Sequence, residues 1–340
     1  MKPRAMAVIL LFGAIFSVTA RAEDDDAPWL HMQTQINFDT HSSTVDKYEN
    51  NLRVAETEIG FEVLLHEGIK LYLLNDLTML LNKRSPEEKL KFSQMLEEAF
   101  IVIETDKVSG LPRAIISFGK QLMAFGQGYN EIPLHEDTLL YELSRQAEVI
   151  GLTVELPNHF FKLVDSAAIS VFESGEADFK ISHEKGMSIQ LKKNFSERMA
   201  TEISALIKQN PGSDRLEKRG SVGFVFQNKE GSKKIWAEGI VTEYRPESEN
   251  HTLGLQVGAS QKWGPGTIVV ETEYVMNQAT DLTIAYNLPI GSLFVLSPEI
   301  RWRKGSSENF HDDTMIAIRA HLETQANAKH NLLKGRLRRG

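Results

Sequence analysis

Charged residues in this chain recur between apolar ones at a spacing of two. Glu56, Glu58 and Glu62 alternate with Ala55, Thr57, Ile59, Phe61 and Val63. Glu202 lies between Thr201 and Ile203, and Glu271 and Glu273 among Val270, Thr272 and Tyr274. Glu299, Arg301 and Arg303 flank Ile300 and Trp302, and Arg319 sits between Ile318 and Ala320. Successive side chains of a strand point to opposite faces, so each run puts its charges on one face and its apolar residues on the other. Side chains of both signs along a narrow aqueous path set a transverse field that sorts solutes by charge and size. The same residues would also hydrate an outer wall, because alternation alone does not say which face is wet.

Other chemistry is sparse. The pairs His66-Glu67, His135-Glu136 and His183-Glu184 lack the second histidine three residues after the glutamate that a zinc-protease helix needs. No G-x-S-x-G elbow occurs, since Gly258-Ala259-Ser260 continues into Gln261-Lys262. Gly119-Lys120 lacks the upstream glycine of a phosphate loop. The absence of cysteine excludes disulfide frameworks, thiolate zinc sites and thiol nucleophiles. A formal charge of −8 argues against nucleic-acid partners. The expectation is a protein without catalytic residues, cofactor or metal.

The elements that must position the charges are strands. A basic start (Lys2, Arg4), an apolar stretch from Ala5 to Ala20 and the small-x-small site Ala20-Arg21-Ala22 read as a secretory leader over 1–22. An acidic segment over 23–27 follows it. The apolar stretch is short for a spanning helix and no comparable run follows, so an exported membrane chain of this kind must be a barrel. A hydrophobic content of 41% and a mean hydropathy of −0.26 allow this, because only alternate residues of a barrel strand meet lipid. Period-two runs, each about the 9–11 residues of a tilted spanning strand, suggest an all-β transmembrane antiparallel barrel over 28–323. Their number is about sixteen, which leaves room for an aqueous channel rather than a plugged lumen.

The joins segregate by length. Those expected to be tight are His66-Glu67, Pro157-Asn158, Asn228 to Ser232, Gly264-Pro265 and Pro289 to Gly291. The alternate set is longer, at 41–49, 82–94, 125–142, 209–218 and 305–310, with a short exception at 278–279, as external loops require. Trp29, Trp236, Trp263 and Trp302 fall near predicted strand ends, where an interfacial girdle would sit. Ser85-Pro86-Glu87-Glu88 followed by Phe92, Met95, Leu96, Ala99 and Phe100 predicts a short helix near 86–98. The last strand is expected to stop near Leu322, leaving a disordered basic tail over 324–340 with Lys329, Lys334, Arg336, Arg338 and Arg339.

Over Ile115 to Gly126, with its pattern Gly119-Lys120-Gln121 and Phe125-Gly126, the chain resembles outer-membrane porins, in particular the LbtU-type siderophore porin family. Asp137-Thr138-Leu139-Leu140-Tyr141-Glu142-Leu143 is similar to that family's following "D-P-L…E-L-G-E" segment, with Thr138 in place of proline and Ser144-Arg145 in place of the terminal Gly-Glu. Leu96 to Phe100 is similar to the family's acidic-Ala-aromatic strand, so the resemblance spans 96–145. It implies a wall strand marked by Gly119, Lys120, Gln121, Phe125 and Gly126, with Lys120 a candidate for the pore. It also implies a constricting loop marked by Asp137, Glu142 and Leu143. The resulting expectation is a porin in the outer membrane of a Gram-negative bacterium, monomeric or homo-trimeric. It would sit in outer-membrane lipid and pass small hydrophilic solutes, iron chelates among them, by diffusion. The competing readings are a non-conducting structural or ligand-binding barrel closed by the 125–142 loop, a soluble periplasmic β-rich protein, and a barrel hydrolase acting on lipids.

Overall fold

The computed structural model describes residues 30–43, 53–77, 96–126, 139–140, 148–157, 164–175, 181–209, 216–243, 251–291, 294–306 and 311–328. These form sixteen strands. They are β1 (Leu30–Ser43), β2 (Arg53–His66), β3 (Ile69–Asp76), β4 (Leu96–Glu104), β5 (Ile115–Leu122), β6 (Glu148–Pro157), β7 (Ser166–Gly175) and β8 (Ile181–Ser196). Then follow β9 (Met199–Gln209), β10 (Leu216–Gln227), β11 (Lys233–Glu243), β12 (Thr252–Trp263), β13 (Gly266–Val275), β14 (Ala279–Ile290), β15 (Phe294–Gly305) and β16 (Asp313–Ala328). Each pairs antiparallel with its sequence neighbours, and β1 pairs with β16, so the sheet closes into a barrel without an edge.

The strands form where apolar residues take every second position, and closure decides which frame faces in. On β12, Val257 is 52% exposed and its neighbour Gln256 only 4%. The same sense holds around the wall: Ile203, Val222, Leu255, Val270, Ile316 and Ile318 face outward, while Glu202, Ser221, Glu271, Ala317 and Arg319 are buried inside. An apolar belt of this kind is penalised in water by about 25 cal/mol per Å² and is at home in lipid. This overturns the soluble alternative, in which the apolar frame would be the buried one.

The long joins, among them 44–52, 77–95, 123–147 and 244–251, gather at one end. The two-residue joins 67–68, 197–198 and 264–265 lie at the other. Gly264 takes φ 58 in its two-residue turn, a left-handed conformation that glycine adopts without strain. The join between β6 and β7 is longer than expected, at 158–165. Its end is tied to β8 by Asp165, whose carboxylate accepts from the Asn194 backbone N–H (2.5 Å) and from Lys193 (3.1 Å). These bonds hold its carboxyl below the usual range.

Several expectations change. β16 runs through Ala328, where it pairs with Leu30, so the strand passes its expected stop near Leu322 because β1 offers partners all the way. The rest of the basic tail lies outside the described residues, as do the leader, the acidic segment, Trp29 and the expected helix up to 95. The strand that the helix was to lead into begins at Leu96. A helix missed in the sequence, α1 (Thr105–Ser109), fills the join between β4 and β5. Asp106 in its first turn and the left-handed Gly110 after it are its local signals. Trp263 and Trp302 lie on the outer face as expected of girdle residues, but Trp236 is buried inside.

Trp236 packs across β12 onto Gly258, where an added Cβ would overlap the indole ring. Gly258→Ala is expected to destabilise the refolded barrel by about 1–3 kcal/mol, the usual cost of overpacking, read as a lower unfolding midpoint.

Candidate lumen site and its constricting segment

The segment 115–126 turns the chain from the wall into the lumen. Gly119, at φ 137, lies against Phe100 of β4 so closely that an added Cβ would meet the Ala99 carbonyl. Gln121 faces inward and donates from Nε2 to the carbonyls of Ser117 (3.3 Å) and Gly151 (3.2 Å). Past Leu122 the backbone leaves the sheet. Met123 and Phe125 are buried, Phe125 completely. The Ala124 N–H donates to Ser170 Oγ (3.3 Å) and the Gly126 N–H to Ser204 Oγ (3.1 Å), and the Gly126 carbonyl accepts from Gln190 Nε2 (3.1 Å). Gly126 takes φ 74. Further along the same join, Leu139 and Leu140 are also buried, and the Leu139 N–H donates to Glu273 Oε2 (2.8 Å). The two described ends of the segment are thus anchored on different parts of the wall, β7–β9 and β13. Inward apolar residues receive them: Met123, Phe125, Leu139 and Leu140 cluster with Val149, Phe172, Leu206, Ile240 and Val275.

Around this segment the wall charges are paired. Arg301 Nη2 lies 2.9 Å from Glu299 Oε1, and Arg301 Nε donates to Thr283 (3.3 Å). Arg303 holds Asp281 in a two-pronged pair, at 2.9 and 2.7 Å. Trp236 Nε1 donates to Glu271 Oε2 (2.7 Å), and Glu202 accepts from Gln190 (2.6 Å) with Lys192 3.5 Å away. Glu217, between Arg219 (2.5 Å) and Lys208 (3.5 Å), and Glu238, bonded by Ser221 (2.6 Å), complete the set. Buried charges are tolerated only when paired and bonded. Arg301→Met removes the guanidinium from Glu299 and Thr283 and is expected to cost about 3–5 kcal/mol, measured by urea unfolding of the refolded barrel.

Among solved structures, a loop-deletion mutant of OmpT, an outer membrane protein of Vibrio cholerae, is similar with a TM-score of 0.63 at 12% identity, covering 88% of this chain and 100% of that one. The outer membrane channel DcaP of Acinetobacter baumannii gives 0.58 at 11% identity, covering 90% and 100%. A triple mutant of the Rhodopseudomonas blastica porin gives 0.54 at 11%, covering 87% and 100%. The fold is that of the outer-membrane porins. At such identity the likeness shows the fold alone and does not single out the siderophore porins. No protein-family model matches the chain, and no curated relative matches its sequence.

Within this porin-like barrel the inner wall is unevenly exposed. From β7 round to β16, Glu202, Glu271, Glu273, Glu299, Arg301 and Arg319 are buried, and Arg303 is half-buried. From β2 to β5 the inward residues other than the buried Gln121 stay half-exposed. Glu58 lies in register with Gln35 and Asp76, and Glu62 with His31 and Tyr72. Lys70 Nζ is 2.8 Å from Glu62 Oε1, and Tyr72 stacks on Phe100 with centroids 5.1 Å apart. Inward by the same register, Glu98 opposes Leu74.

One expected pore residue is placed differently, and another falls at a shift in the ladder. Lys120 is on the outer face with Phe118 and its partners Ala99 and Ile150, and Nζ donates to the Leu96 carbonyl. At Glu56 a bulge shifts the ladder, since Ile36 pairs with Thr57 and Asn37 with Ala55, and its side chain lies outside the described residues. Asp137 and Glu142 also lie outside them. Glu217, Glu238 and Asp281, missed in the sequence, belong to the same alternating frame, which was their available signal. Nothing local marked Phe125, Leu139 and Leu140 as lumen residues. Among the described residues, no three His, Asp or Glu side chains are grouped to hold a metal.

Proposed function

We propose that the chain is an outer-membrane porin of a Gram-negative bacterium, a non-enzymatic passive pore for small hydrophilic solutes with a preference for cations. One observation carries this reading: a closed barrel, apolar outside and charged inside, whose half-exposed inner wall over β2–β4 is acidic. Glu58, Glu62, Asp76 and Glu98 stand there against Lys70. The described residues of the constricting segment, 123–126 and 139–140, are anchored on β7–β9 and β13, which leaves β2–β5 as the path for solutes. The secretory leader supports export, and a trimer form solved for Vibrio cholerae OmpT supports a homo-trimer.

The resemblance over 96–145 adds iron chelates as a solute class. Neutral or cationic chelates suit the acidic wall. Planar-bilayer recording of the refolded barrel under a salt gradient tests the pore and its charge preference, and liposome swelling with iron-loaded against iron-free chelators tests the cargo. An absence of channels from folded protein ends the pore reading, and an anion-directed reversal potential ends the cation preference.

A second reading is favoured by the complete burial of Phe125 and the apolar cluster around it: a barrel whose lumen the segment closes. It predicts silence in the intact protein and conductance once 123–147 is shortened.

A further inference from the structure

Where β11, β12 and β13 meet on the outer face, near the end with the short joins, the surface dips. The depression holds about 440 Å³, within the range of small-ligand sites, and its lining includes Lys233, Ile235, Ala259, Gln261, Trp263 and Val270. Its floor is Ala259, a small side chain between its larger cross-strand partners Ile235 and Val270. Two residues toward the short joins, Gln261 stands in register with Lys233. Trp263 follows on the same face, packed edge-on against Tyr286 at 6.2 Å, and the Tyr286 hydroxyl donates to the Trp263 carbonyl at 3.1 Å.

The row is therefore graded: apolar over Ala259, polar at Lys233 and Gln261, aromatic at the rim. Lys233 and Gln261 are both exposed on the lipid-facing frame. Among the described residues no carboxylate pairs with the Lys233 ammonium and no group bonds the Gln261 amide. Polar groups facing hydrocarbon need a partner or must reach the interface, where tryptophan also sits. Lys229 and Lys262 add positive charge at the same end, against Glu230 in the 228–232 join.

We propose that this depression binds an anionic phospholipid of the periplasmic leaflet. Its phosphate is held by Lys233 and Gln261, and one acyl chain lies over Ala259 between Ile235 and Val270. The inference rests on the porin reading, since only a barrel in the outer membrane turns this face to that leaflet.

The test uses the refolded barrel in detergent micelles, titrated separately with phosphatidylglycerol and phosphatidylcholine, with bound lipid counted by native mass spectrometry. Phosphatidylglycerol is expected to be retained about tenfold better than phosphatidylcholine, a difference typical of one well-placed charge contact. Lys233→Ala is expected to abolish that preference, and Ala259→Leu, which fills the floor, to lower retention of both lipids. Equal retention of the two lipids by the unaltered barrel, or an unchanged preference in Lys233→Ala, overturns the proposal. A shift of Ala259→Leu from oligomer to monomer with lipid retention unchanged also overturns it, in favour of a second copy of the chain. Heat-dependent migration on gels reports folding independently: its absence from the unaltered protein counts against the porin reading, whereas its presence with no lipid preference counts against the lipid site alone.

Discussion

Phe125→Ala is expected to raise the single-channel conductance of the barrel while leaving it folded. Phe125 is fully buried among residues from several strands, yet it belongs to the segment that has left the sheet. Truncating a buried phenylalanine costs about 3–5 kcal/mol. That shifts the balance between docked and undocked segment by about a hundredfold to several thousandfold, at 1.4 kcal/mol per tenfold. The barrel wall keeps its ladder of backbone bonds, so the loss falls on docking. Removing the Gly126 anchors with Gln190→Ala and Ser204→Ala is expected to act in the same direction more weakly, at about 1 kcal/mol for each neutral hydrogen bond. Planar-bilayer recordings give the readout. A lowered unfolding midpoint with unchanged conductance would show that Phe125 packs the wall and restricts nothing.

Neutralising Glu58 and Glu62 together is expected to reduce the cation preference of the pore. A unit charge about 4 Å from a passing ion contributes about 1 kcal/mol in water, or about fivefold in relative permeability. Glu58→Gln with Glu62→Gln should therefore move the reversal potential under a salt gradient toward zero. Lys70, released from Glu62, adds to the effect. Glu271→Gln provides the contrast. Glu271 is 1% exposed and bonded to Trp236, so its loss should change stability and leave selectivity nearly as it was. If Glu271→Gln moves the reversal potential and the Glu58/Glu62 pair does not, the water path follows the other wall.

These expectations depend on features of unequal legibility. The strand frames were readable because alternation is local: Leu253, Leu255, Val257 and Ala259 share one face whatever lies beyond β12. Glu202, Glu271, Glu273, Glu299, Arg301 and Arg319 were found on the inner wall for the same reason. The motif around Lys120 points it to the pore, whereas its parity with Phe118 puts it on the outer face. Glu56 sits where one extra residue shifts the ladder, and a bulge leaves no mark in an alternating run until the partner strand is known. Trp236 was placed in the girdle by its position near a strand end, but its parity with Glu238 put it inside.

The amino-acid sequence by itself determined that this chain alternates, that its strands number about sixteen and which residues share a face, because a period of two needs no distant partner. Only the tertiary structure decided which face is wet. That followed from closure, since pairing β1 with β16 gives every strand one face on an inner wall and one on the outside, and it is the apolar frame that stands outside. The tertiary structure also decided where the join between β5 and β6 is held, at its described residues 123–126 and 139–140. Its anchors, Ser170, Gln190, Ser204 and Glu273, are far along the chain from Ala124, Gly126 and Leu139, and no local pattern joins residues that meet only across a lumen.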